Sequence, residues 1–163
     1  MRRLVLSLFG VGRLPAPGTF ASAATFGAIL AATELAGWSP WIAAAAAVFL
    51  GSLATIALPT PALLAEGDGD PSWVVTDEVA GMGVAWALAA LGPRSQVGLL
   101  PFVASFALFR LFDIWKPGPV GALERLPRGW GVLADDLAAG TLAGGLVLAA
   151  EALRWFPSEV WGL

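Results

Sequence analysis

Residues 137–153 read LAAGTLAGGLVLAAEAL, a run of 17 residues with a single charge. That is close to the roughly 17–25 residues an α-helix needs to cross the hydrocarbon of a bilayer. The stretch mixes leucine, valine and alanine with glycine, and no alternation of apolar and polar residues marks a strand. Gly140 and Gly144 stand four apart, one turn of helix, where small residues let membrane helices approach closely. Immediately before the run come two adjacent acids, Asp135 and Asp136. The reading is an apolar helix with a charged mouth.

Working outward, four more apolar stretches follow the same plan: residues 20–36, 41–58, 73–91 and 97–112. The third is long enough only if its helix begins near Trp73. The fourth carries Pro101 and is expected to be kinked. Across the chain 58% of residues are hydrophobic and 13% charged, against roughly 25% charged in an ordinary globular protein. So few charges cannot cover a soluble surface. The expected fold is all-α, a polytopic helical membrane bundle of about five apolar helices with polar cytoplasmic loops, forming a single domain over residues 1–163. A soluble oligomer that hides its apolar faces is the alternative. Residues 1–10 lead into a glycine-rich loop and are not expected to be a cleaved leader.

Basic residues orient the bundle. With the N-terminus in the cytoplasm, Arg2, Arg3, Arg13, Arg110, Lys116, Arg125 and Arg128 lie inside, and Arg94 and Arg154 outside. Three polar segments, residues 1–19, 59–78 and 113–136, then share the cytoplasmic face. The net charge of −3 says little about partners, and no feature points to nucleic acid. Cysteine and histidine are both absent, which excludes disulfides, thiolate metal sites, a cysteine nucleophile and any histidine base, nucleophile or ligand.

The chemistry concentrates on that face. TDEVAG (76–81) and ADDLAAG (134–140) each set paired carboxylates before an apolar helix, and Asp113 ends a third helix beside them. Carboxylates so near hydrocarbon are costly and imply a partner. Helix capping favoured by the macrodipole explains one acid per helix, not two adjacent pairs and a fifth. Asp77, Glu78, Asp113, Asp135 and Asp136 are therefore the candidate metal ligands. Oxygen-only ligation favours a hard ion, Mg²⁺ or alternatively Mn²⁺. In FRLFDIWKPGP (109–119), Arg110, Asp113 and Lys116 recur at i, i+3 and i+6, so that two cations flank an acid and could hold phosphate. The bland alternative is a pair of snorkelling cations. Pro117 should stop that helix. The loop GVGRLPAPGTF (10–20) contains too many glycines and prolines for regular structure. It delivers Gly18 and Thr19 to a helix start, where backbone N–H groups suit phosphate. DGDPS (68–72) approximates an aspartyl-phosphate motif, but no buried strand precedes it.

With these segments in order, the sequence resembles the phosphatidylglycerophosphatase A family of bacterial lipid phosphatases. The resemblance is carried by APGT (16–19), DExxG (77–81), FRxFDxxKPxP (109–119) and GxGxxxDDxxAG (129–140). The chain departs from the pattern by one residue fewer between the LP and APGT parts of its first loop, and by Ala21 where glycine is common. The resemblance implies Mg²⁺-dependent hydrolysis of phosphatidylglycerophosphate, an anionic phospholipid substrate, and a multi-pass protein of the bacterial inner membrane with its site facing the cytoplasm. The five carboxylates would bind metal and act in catalysis, and Arg110, Lys116, Gly18 and Thr19 would bind substrate. The rival from another class is a small cation carrier or channel with acid-lined helix mouths. Oligomeric state is not legible.

Overall fold

The computed structural model describes residues 1–58, 72–92, 99–126 and 130–155. Every regular element among them is helical. A short helix α1 (Arg2–Leu6) and a kinked 3₁₀ segment (Leu8–Arg13) lead to α2 (Pro17–Glu34). Then come α3 (Pro40–Ala57), α4 (Thr76–Ala89), α5 (Leu100–Trp115), the short α6 (Pro119–Leu123) and α7 (Trp130–Ala152). The five long helices coincide with the five apolar stretches.

Local signals set their ends. Pro17 and Pro40 occupy first turns, where a missing N–H costs nothing. Ser39 caps α3, its hydroxyl accepting from Ile42 N–H at 3.3 Å. Pro101 also falls in the first turn of α5. The kink expected there does not arise, because the helix starts at the proline instead of running through it.

Of the five expected spans, two are met among the described residues: Pro40–Ala57 and Trp130–Ala152 are long and apolar enough to cross a membrane, with mean hydropathies of 1.8 and 1.5. The third helix starts at Thr76 rather than Trp73 and has 14 residues, about 21 Å at 1.5 Å per residue. That falls short of the ~30 Å hydrocarbon core. The 16 residues of α5 reach about 24 Å.

The short α4 lies at the centre, touching α2, α3, α5 and α7. Its Trp86 is buried between Phe26 of α2, edge-on at 5.0 Å, and Phe102 of α5, stacked at 4.2 Å. Small residues bring α4 against α7. A Cβ on Gly140 would run into the Gly81 carbonyl, and one on Gly144 would lie 2.6 Å from Ala85 O. The two helices thus meet backbone to backbone along matching small-xxx-small seams, Gly81/Ala85 and Gly140/Gly144. Much of the outer surface is apolar, including Phe49, Leu50, Leu111, Ile114 and Leu146. An apolar exterior of this extent marks a surface that meets lipid or another apolar partner.

Candidate active site

The glycine seam also builds the site. Counting one turn back from Gly81 gives Asp77; one turn back from Gly140 gives Asp136. Because α4 and α7 cross with these glycines in contact, the first turn of α4, which carries Asp77, lies beside the second turn of α7, which carries Asp136, and the two aspartates are brought together. Side-chain oxygens of Asp77, Glu78 and Asp136 all lie within 4.8 Å of one another. Asp77 and Asp136 are buried, at 5% and 3% exposure. Asp77 lies within hydrogen-bonding reach of Glu78, and Asp113 within reach of Asp136. Carboxyl oxygens at such separations need something positive between them, either a shared proton or a cation.

The remaining two acids are engaged by the cations. Asp113 on α5 pairs with Arg110 at 2.6 Å. Asp135 pairs with Lys116 Nζ at 2.7 Å, and Glu124 takes the same ammonium at 2.6 Å. The spacing had placed Lys116 along α5 in line with Arg110 and Asp113. Instead α5 ends at Trp115 and Lys116 adopts a left-handed cap, φ 47°, which turns its side chain to α7. Burial disfavours its charged form, but hydrogen bonds and charge from Asp135 and Glu124 outweigh this and hold its pKa above the usual lysine value.

Arg110 is fixed from a third helix. Its Nη1 donates to Ser22 Oγ at 3.2 Å, and Ser22 in turn donates to Gly18 O at 2.7 Å. Arg110 Nε is buried without a hydrogen-bond partner, so one donor of the guanidinium remains uncommitted. Gly18 is where α2 makes room for these groups. A Cβ there would collide with Glu78 Oε1 and come within 2.9 Å of Arg110 Nη2. The Thr19 N–H donates to Ala16 O at 3.0 Å, while the Gly18 N–H, in the first turn, has no intrahelical acceptor by position.

All nine residues singled out in the sequence (Asp77, Glu78, Asp113, Asp135, Asp136, Arg110, Lys116, Gly18 and Thr19) line one cavity of about 320 Å³. Sequence reasoning missed Ser22 and Glu124. The only signal for Ser22 was its place one turn after Gly18 on α2. Asp68 and Asp70 lie outside the described residues, as do Arg94, Arg128 and Gly129.

The cavity's composition suits a hard divalent cation. Its carboxylates outnumber its cations five to two, all donors are oxygen, and Glu78 Oε2 is buried without a hydrogen-bond partner. An anionic ligand beside such an ion would meet Arg110, Lys116 and the start of α2.

Comparison with known proteins agrees in extent. The family model described as Phosphatidylglycerophosphatase A matches residues 4–151. A Haemophilus influenzae protein named Phosphatidylglycerophosphatase A is 35% identical over 147 residues, 88% of this chain and 84% of its own length. An Escherichia coli K12 protein of the same name is 31% identical over 141 residues, 85% of this chain and 77% of its own. A Bacteroides thetaiotaomicron protein, provisionally named a phosphatidylinositol-3-phosphatase, is 41% identical over 86 residues, 53% of this chain and half its own length. No solved structure matches.

Proposed function

Because the chain belongs to the phosphatidylglycerophosphatase A family, we propose that it hydrolyses the terminal phosphomonoester of phosphatidylglycerophosphate, giving phosphatidylglycerol and inorganic phosphate. The observation that carries this reading is the convergence of five carboxylates, Arg110 and Lys116 on one cavity. The names of the relatives share one chemical feature, a phosphomonoester on a phospholipid head group.

Asp77, Glu78 and Asp136 are the residues to hold Mg²⁺, or Mn²⁺ in its place; Asp113 and Asp135 stand next to them and anchor the two cations. When bound, the divalent ion supplies positive charge to the phosphoryl oxygens and lowers the pKa of an adjacent water. The protein's own groups do the rest. Arg110 offers its guanidinium charge to a phosphoryl oxygen, while Ser22 and Asp113 fix its plane. Lys116, held between Asp135 and Glu124, gives a second positive charge on the same side. Gly18 and Thr19 bring the phosphate against the first turn of α2. Water attacks phosphorus as the P–O bond to glycerol breaks. Its proton passes to a carboxylate of the cluster and from there to the departing alkoxide.

The same reading makes the chain a multi-pass protein of the bacterial inner membrane, with the five long helices as a bundle and the cavity at the cytoplasmic face. The apolar exterior and the excess of basic residues in the segments carrying the site support this. Purified protein in detergent should release phosphate from phosphatidylglycerophosphate when Mg²⁺ is added and stop when a chelator is present. Release that persists in excess chelator removes the metal from the mechanism. No release from folded protein under any divalent ion sinks the phosphatase reading.

A further inference from the structure

A second cavity, of about 860 Å³, runs between α2 and α3. Its walls are carbon, formed by residues such as Ala24, Ala28 and Ala32 of α2 and Leu50, Leu53 and Ala57 of α3. The hydroxyls that reach it are already engaged. Thr25 donates to Ala21 O at 2.9 Å, and Thr76 meets Thr55 Oγ1 of α3 at 2.8 Å. Apart from the Trp38 indole, the groove therefore offers an occupant chiefly apolar contact.

Its position says which apolar occupant fits. The first turn of α4 is a wall shared by both cavities: Asp77 and Glu78 line the polar one, Thr76 and Val79 the apolar one. On α2, Gly18, Ser22, Thr25 and Ile29 follow each other at helical spacing down one face. That face begins in the polar cavity with Gly18 and continues into the groove with Thr25 and Ile29. Along the axis, Gly18 and Ala24 are about 9 Å apart, and the groove extends about 21 Å along α3 from Ala43 to Ala57. One leaflet of hydrocarbon is about 15 Å deep, half of the ~30 Å core. A head group in the polar cavity, a glycerol across the intervening turn and a hydrocarbon chain along the groove would match these lengths in order.

We propose that the groove between α2 and α3 binds an acyl chain of the same phospholipid whose terminal phosphate occupies the polar cavity. This rests on the lipid phosphatase reading, and it adds where the hydrophobic part of the substrate goes. The groove and the acid cluster together make a bipartite site, apolar on one side of the first turn of α4 and charged on the other.

Ala24 and Ala28 are exposed, so a tryptophan at either position fills the groove without disturbing the core. Ala23, exposed on the same helix and outside the groove, is the control. In mixed micelles, Ala24→Trp and Ala28→Trp should each raise KM for dipalmitoyl phosphatidylglycerophosphate about tenfold or more, with Ala23→Trp near the parent. Hydrolysis of the deacylated head group, glycerophosphoglycerol phosphate, should be unchanged in all three. The second measurement does not use activity. Phosphatidylglycerol with a diazirine midway along one acyl chain, photolysed with the protein, should label peptides of α2 and α3, and Ala28→Trp should reduce that labelling. Unaltered KM with an active parent, or label confined to α5 and α7, overturns the groove assignment. So does cross-linking of two copies through Leu50→Cys in place of lipid labelling, which would make the groove a contact between copies. If the parent releases no phosphate from either substrate, the phosphatase reading fails by itself, and photolabelling still decides the groove.

Discussion

The contact between α4 and α7 can be perturbed in graded steps by adding one methyl group at a time. At Gly144 a new Cβ would lie 2.6 Å from Ala85 O and 2.7 Å from Leu88 Cβ, where ordinary contact begins at 3.4 Å. The helices must therefore part by about 0.8 Å, the difference between these distances. At Gly140 the new Cβ would meet the Gly81 carbonyl at still closer range, so the separation exceeds that. At Gly145 nothing lies within 4 Å. Asp136 is one turn from Gly140, and a shift there moves it directly away from Asp77. Displacing catalytic groups by about 1 Å costs on the order of 10²-fold in rate. Gly140→Ala should thus lower kcat/KM about a hundredfold, Gly144→Ala about tenfold, and Gly145→Ala hardly at all. Overpacking should also cost the first two about 1–3 kcal/mol, whereas Gly145→Ala should gain up to about 1 kcal/mol from helix propensity. Phosphate release and Mg²⁺ titration on the three purified variants, with thermal unfolding alongside, test the series. Full activity in Gly140→Ala, with a folded core, would refute the idea that this seam sets the spacing of the acids.

Asp77→Asn, Asp113→Asn and Asp136→Asn should each reduce turnover by about 10²-fold or more while the protein still inserts and folds, and near-normal rates in all three would dissolve the shared site. Ser22→Ala should raise KM several-fold by freeing Arg110, with kcat less affected and Ser22→Thr partly restoring it; an equal fall in kcat alone would argue against a positioning role. Lys116→Ala should weaken phosphate release yet leave Mg²⁺ binding measurable by calorimetry. Because its pKa is raised in the folded protein, the stabilisation from Lys116 is fully present below the ordinary lysine value and lost only as pH rises beyond it. The parent and Lys116→Arg should therefore share one rate profile up to about pH 10. Single cysteines at Ser39 and Ala122 should be labelled from opposite sides of the membrane, and labelling from the same side would reject the five-span arrangement.

The long helices were legible because each apolar run is bounded by proline, glycine or charge, and those signals act locally. The pairing of Asp77 with Asp136 was half legible. Both sit four residues before a glycine, so each motif holds the acid and the contact that positions it, although the sequence cannot say that the two glycines touch. Lys116 was misplaced because its direction depends on one left-handed residue after a helix, a conformation that lysine does not advertise. Ser22 was hidden because its partners, Gly18 and Arg110, are brought together by tertiary packing across α2 and α5. Glu151, the single charge in the last apolar run, is 1% exposed and packs beside Gly92, a burial no local pattern reveals.

The brevity of α4 bears on how a lipid reaches the acids. Fourteen residues packed against longer helices set the first turn of α4, with Asp77 and Glu78, in a cavity walled also by the start of α2, the end of α5 and Asp135 and Asp136 of α7. In the membrane arrangement proposed above, the reacting phosphate meets these groups near its own depth in the leaflet. Lifting a diacyl lipid into water would forfeit about 0.8 kcal/mol for every methylene uncovered. An enzyme built around a tall central helix would impose much of that penalty on each turnover. If the chain is embedded as proposed, the substrate would arrive by sideways diffusion with its chains still in hydrocarbon, and the product would return to the bilayer by the same route.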